Sequence, residues 1–170
     1  MVIVVVALVA TGESGAKTFS SHGFSFNYPG KWRPLARVTN SATTGTALTS
    51  DAVGIDGSDL VQVATYHLNL AVTADNFSQL RDAFDQVIQQ TVSQANGSVL
   101  QGATEISMGG LRGLRYQITA TNTAGVQTES RVVLAFRDMT EYFLNCQHVA
   151  AYATEIESGC DQIMQSFKAG

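Results

Sequence analysis

Along this chain the spacing of apolar residues switches from every second position to every third or fourth and back, and these switches divide it into elements. Phe24, Phe26 and Tyr28 alternate with Ser25 and Asn27, the pattern of a strand with one buried face. Pro29 and Gly30 follow as the central pair of a type II turn that aims Trp32 back toward the domain. Residues 41–58, rich in Thr, Ala, Gly and Asp, read as a long loop holding at most one short strand. From Leu60 to Leu70 apolar residues fall on both parities, as a central strand covered on two faces requires.

A helical period then takes over. Phe77, Leu80, Phe84, Val87, Ile88, Val92 and Ala95 form one stripe, with Asp75 or Asn76 as the cap and Gly97 at the stop. Val99 to Met108, a Gly109 and Gly110 turn, and Leu114, Tyr116, Ile118 and Ala120 alternating with polar residues make a hairpin. Val132, Leu134 and Phe136 start a further strand, and Asp138 and Met139 turn it into Tyr142 to Gln147. Consecutive up-and-down strands imply a mostly antiparallel sheet. The final helix starts at Thr154, whose hydroxyl and the Glu157 carboxylate have capping-box spacing, and its apolar face is Ile156, Cys160, Ile163, Met164 and Phe167. The fold class is α+β.

The two cysteines gain meaning from that pattern. Cys160 points from the last helix toward the sheet, and Cys146 shares the parity of Tyr142 and Leu144, the side of its strand that faces the helix. A Cys146 to Cys160 disulfide is the leading reading, contributing about 3 kcal/mol by the chain-entropy relation for a loop of this length. Two unpaired core thiols are the alternative.

Composition narrows the class. The chain has 170 residues, the size of one domain, and only 14% are charged. Thr, Ser, Gln, Asn and Gly fill the gap, a polar but uncharged surface common in secreted proteins. The formal charge is -4 and no Lys and Arg stripe runs along the chain, which argues against nucleic acid. Met1 to Ala10 is an apolar run about half as long as a membrane span. With small residues at Ala10 and Gly12 it reads as a truncated signal segment, residues 1–12, ahead of a single domain over 13–170. A buried strand over Val2 to Val9 is the competing reading.

The run from Gly23 through Phe24, Phe26, Tyr28, Pro29 and Gly30 to Trp32, the long helix, the Gly110 to Gly113 turn and the closing Tyr142 to Cys146 and Gly159, Cys160 pair together resemble a known family. They resemble PsbP-like, Mog1-type domains, nearest to actinobacterial envelope lipoproteins of the LpqN kind. The resemblance covers about Phe19 to Phe167. It implies an α/β/α sandwich around a curved antiparallel sheet, exported and used mainly to bind other proteins. It departs in one respect, since such lipoproteins carry a Cys directly after the signal and Glu13 follows Gly12 here.

No nucleophile, base and orienting group can be assembled from the sequence, so the protein is read as no enzyme, with no cofactor and no metal. His67 and His148 have strand positions that let them approach each other in the sheet, but no carboxylate cluster accompanies them and they read as structural or surface residues, while His22 lies far off in sequence. Asp51, Asp56 and Asp59 carry calcium-type oxygens without EF-hand spacing and read as a solvated turn. Arg115, Arg131 and Arg137 share a face of the strands and form a candidate interaction face for an acidic partner or an anionic lipid headgroup, against the alternative of a solvated sheet face, or one covered by a helix, with Glu129 as ion-pair partner. Phe24, Phe26, Tyr66 and Phe84 are the candidate lining of an apolar cavity, if they do not simply fill the core. The expected function is a monomeric, non-catalytic envelope module that binds another protein. The alternative is a carrier or sensor of an apolar small molecule or lipid.

Overall fold

The strand Leu60–His67 has seven consecutive buried residues, which a strand achieves only when both of its faces are covered. A computed structural model, describing residues 15–21, 23–36 and 49–170, shows how the two covers are built. In chain order the strands are β1 (Lys17–Ser21), β2 (Phe24–Tyr28), β3 (Arg33–Leu35), β4 (Thr49–Gly54) and β5 (Leu60–His67). Helix α1 (Phe77–Gln94) follows, then β6 (Ser98–Met108), β7 (Leu111–Thr121), β8 (Gln127–Arg137), β9 (Thr140–His148), α2 (Ala153–Ser166) and β10 (Lys168–Ala169).

Seven strands form one antiparallel sheet in the order β3-β4-β5-β9-β8-β7-β6, and β1-β2-β10 form a small second sheet. Alternate residues of the large sheet feed two separate cores. On one face Leu114, Tyr116, Leu134, Phe136 and Phe143 meet Phe77, Ile88 and Val92 of α1. On the other face Val61, Val133, Leu144 and Cys146 meet Ile156, Cys160 and Ile163 of α2, together with Phe24 and Phe26 from the small sheet. The class is therefore α+β, a mostly antiparallel sheet flanked by helices.

Local chemistry sets the connections. Gly109 and Gly110 have φ of 56° and 80°, the pair of positive values that a two-residue hairpin turn between right-twisted strands needs. Asp138, at φ 54°, turns β8 into β9. At the end of α1, Asn96 adopts φ 50° and the Gly97 N–H reaches back to the Val92 carbonyl, closing the helix.

Three expected local motifs are replaced by others. Trp32 N–H bonds the Pro29 carbonyl at 3.0 Å, so Gly30 and Lys31 are central in that turn, and Gly30 is not among the left-handed glycines. Asn76 precedes α1 without capping it; its side chain accepts from the Thr73 N–H and donates to the Ala71 carbonyl, bracing the loop. Helix α2 starts at Ala153 after a 3-10 turn (Ala150–Tyr152), with no side-chain cap, and Glu157 turns toward the sheet. The expected signal segment, residues 1–12, and the first part of the expected loop, residues 41–48, lie outside the described residues.

Helix α2 is fixed to the sheet at neighbouring points. Cys160 is bonded to Cys146 of β9, and both are fully buried. One residue earlier, Gly159 lies directly against the six-membered ring of Trp32, where a Cβ would overlap the ring carbons. The missing side chain is the space the indole occupies. Gly159→Val should displace the ring and destabilise the protein by about 1–3 kcal/mol, read as an earlier urea midpoint. An unchanged midpoint would mean that the indole seat tolerates a side chain.

Candidate functional site

The arginine row is divided by its partners. Arg115 lies opposite Val133 and Arg131 opposite Gln117, on the face that α2 covers. Arg131 is only 13% exposed, and its guanidinium bonds Glu157 and Asp161 of α2. Arg137 donates to the carbonyl of Gly170. Arg115 alone of the three has no polar partner among the described residues, so the row is not a free docking face. Glu129 is engaged elsewhere, accepting from Gln117 at 2.9 Å.

Arg131 belongs to a cluster that joins three parts of the chain. Its partner Glu157 also lies 3.3 Å from Nε2 of His148, a buried residue at the end of β9. Asp59, before β5, accepts from the Val149 N–H at 2.8 Å. Burial raises the Asp59 pKa while that N–H opposes the rise. Arg131 grips Glu157, His148 lies enclosed beside that carboxylate without a hydrogen bond from either ring nitrogen, and Asp59 ties the β4–β5 loop to the end of β9, so the bonded groups hold the helix N-terminal half, β9 and that loop in place. His67 pairs with Thr140 at the opposite end of the β5–β9 ladder, so the two histidines are separated by the length of the strand pair. His22 lies outside the described residues.

The aspartates and aromatics also part company. Asp56 accepts the N–H groups of Ser58 and Asp59, making a side-chain-stabilised turn, whereas Asp51 lies in β4 opposite Val63. Phe24 and Phe26 belong to the α2-side core and Tyr66 and Phe84 to the α1-side core. With the seven-stranded sheet between them, the four cannot line one cavity. Phe84 packs on Phe136 at 5.1 Å and Tyr66 on Phe143 at 6.2 Å.

A cleft of about 310 Å³ opens elsewhere, between the start of β3, the end of β4 and the start of α2. Trp32, Ile55 and Tyr152 supply apolar wall, and Lys31, Arg33 and Glu155 its charges. Glu155 accepts from the Trp32 indole N–H at 3.1 Å and pairs with Lys31 at 3.0 Å. Partial burial pushes the Glu155 carboxyl up, but the bonds from Lys31 and Trp32 outweigh it and hold the pKa below its ordinary value. Glu155 is thereby an internally neutralised anion, and exposed Arg33 is the cation left without a polar partner among the described residues.

One acid sits where none is expected. Glu141 of β9 lies between Tyr66 and Phe136 on the α1 face, 6% exposed, and burial alone lifts its pKa to about 7. The folded chain therefore holds this proton more tightly than the unfolded chain, where a Glu titrates near about 4.3. The stabilisation is complete below that value and is lost as pH rises through about 7. Glu141→Gln should remove this loss, so its melting temperature should gain on wild type as pH goes from 5 to 8. Parallel curves for the two proteins would show that Glu141 is ionised in the folded state throughout.

The architecture is similar to that of cyanobacterial PsbP (CyanoP) from Synechocystis sp. PCC 6803, at 13% identity and a TM-score of 0.61, covering 95% of this chain and 96% of that one. It is similar also to LpqN, involved in cell envelope biogenesis of Mycobacterium tuberculosis, at 9% identity and 0.53, covering 91% of both. A Bacteroides thetaiotaomicron VPI-5482 protein matches at 12% and 0.58 over 91% of this chain and 48% of its own. Identities this low establish a common fold. Among curated proteins no sequence matches. The PsbP-like protein family, however, matches residues 8–169 in sequence, nearly the whole chain. With the strand, turn and paired-cysteine pattern now placed in that fold, the chain belongs to the PsbP-like family.

Proposed function

We propose that this protein is a non-catalytic accessory module of the cell envelope that works by binding another protein. The observation that carries the reading is the disposition of its buried polar groups. Arg131 is bonded to Glu157, His148 is enclosed beside that carboxylate and Asp59 is held by the Val149 N–H, and among the described residues these groups do not converge on an open cavity where a substrate could meet a nucleophile or base. Family membership and the fold shared with LpqN, which is involved in cell envelope biogenesis, support an accessory role.

The location has its own support. A buried Cys146 to Cys160 bond suits an oxidising compartment, because cytosolic thiols are kept reduced. Among the described residues no helix is long and apolar enough to cross a membrane. The division of Phe24 and Phe26 from Tyr66 and Phe84 by the sheet leaves the apolar-carrier reading without its proposed cavity.

Crosslinking in intact host cells, with the protein at its native level, tests the reading. The expected result is a saturable adduct with one envelope protein, recovered from the extracytoplasmic fraction. Recovery from the cytosol, or a stoichiometric small molecule retained in native mass spectrometry without any protein adduct, would overturn it.

A further inference from the structure

Charge is distributed unevenly along the chain in a way that its net value conceals. Between Glu13 and Asp51 there are four basic residues and no acidic one; from Asp51 onward there are six basic and thirteen acidic. Three of those four, Lys17, Lys31 and Arg33, are described residues, and they gather around Trp32. Lys17 Nζ lies 3.4 Å from the Trp32 carbonyl, Lys31 pairs with Glu155, and Arg33 is the next residue along. An otherwise acidic molecule therefore presents its positive region at the cleft of about 310 Å³.

We propose that this cleft is the docking site for an acidic peptide segment of the partner protein, one that inserts an aromatic or aliphatic side chain beside Tyr152. The inference rests on the protein-binding function above and names its surface. A cleft of about 300 Å³ is at the small end of ligand sites and holds one or two side chains. Tyr152 is 40% exposed, a large apolar surface left open to such a side chain. Glu155 is neutralised within the cleft wall, so an incoming carboxylate meets the unpaired Arg33 rather than a bare anion. A charge of this kind sets the encounter rate and the choice of partner. An anionic bilayer would match the charge, but its flat surface would leave the concavity and Tyr152 unfilled.

Trp32 is the sole tryptophan, so its emission reports on this cleft directly. The probe is the capped pentapeptide Asp-Phe-Glu-Leu-Asp, titrated into the full chain, with phosphatidylglycerol vesicles titrated in parallel. The expected result is a saturable change in Trp32 emission that Arg33→Glu weakens by about fivefold or more. Arg115→Glu makes the same change in net charge away from the cleft and should weaken binding by less than about twofold. Arg33 is exposed and without a polar partner, so its replacement should leave the melting temperature unchanged, which is checked beside each titration. Equal weakening by both variants, no emission change, or binding to vesicles but not to peptide would overturn the proposal. Equal crosslinking of the cellular partner by wild type and Arg33→Glu would overturn the cleft alone; no partner at all would overturn the function on which it rests.

Discussion

The attachment of α2 to the face of β9 is the constraint on which the rest of the molecule depends. A strand such as β5, buried along seven consecutive residues, is stable only if both faces of its sheet are dry. A helix of 14 residues could cover one of those faces at many positions. Here it is fixed by a covalent bond at Cys160, by the indole of Trp32 filling the space above Gly159, and by Glu157 and Asp161 gripping Arg131. These contacts span little more than one helical turn, so they set position and rotation together. The small sheet then follows, since Phe167, just past the helix, packs on Phe24 and Tyr142 and leads into β10 beside β2. The cleft is a consequence too, because its walls are the start of α2 and the residues that flank Trp32.

The opposite cover is held in a different way. Helix α1 has no covalent link to the sheet; the Tyr116 hydroxyl donates to Asp85, and Arg81 reaches the Ala103 carbonyl on β6. Beneath it Glu141 remains a buried acid among aromatic rings, destabilising when ionised. The covalent link is thus on the α2 side, and the acid most strongly shifted by burial is on the α1 side.

What could be read in the sequence was what depends on period and parity. Apolar residues on both parities of residues 60–66 gave away a doubly covered strand, the stripe from Phe77 to Val92 a helix, and the paired glycines 109 and 110 a tight hairpin. The facing of Cys146 and Cys160 follows from the same parity argument. What escaped was whatever depends on choosing among partners. Glu157 has the spacing to cap its own helix, yet a guanidinium across the core on β8 offers a stronger, charge-assisted bond. Arg131 looked free because its partner lies 26 residues away in sequence. His67 and His148 both lie on strands, but antiparallel register sends them to opposite ends. The cleft joins residues 31–33, 54–55 and 152–155, and no local pattern links those three segments.

The α2 attachment includes a disulfide, and the envelope location proposed above is one where thiols oxidise. The most direct measurement is to quench host cells in acid, alkylate in denaturant, and weigh the protein by mass spectrometry before and after reduction. The expected result is that no thiol is labelled until Cys146 and Cys160 are released by reductant. Labelling of both cysteines without reductant would contradict the oxidising compartment, and with it the envelope role.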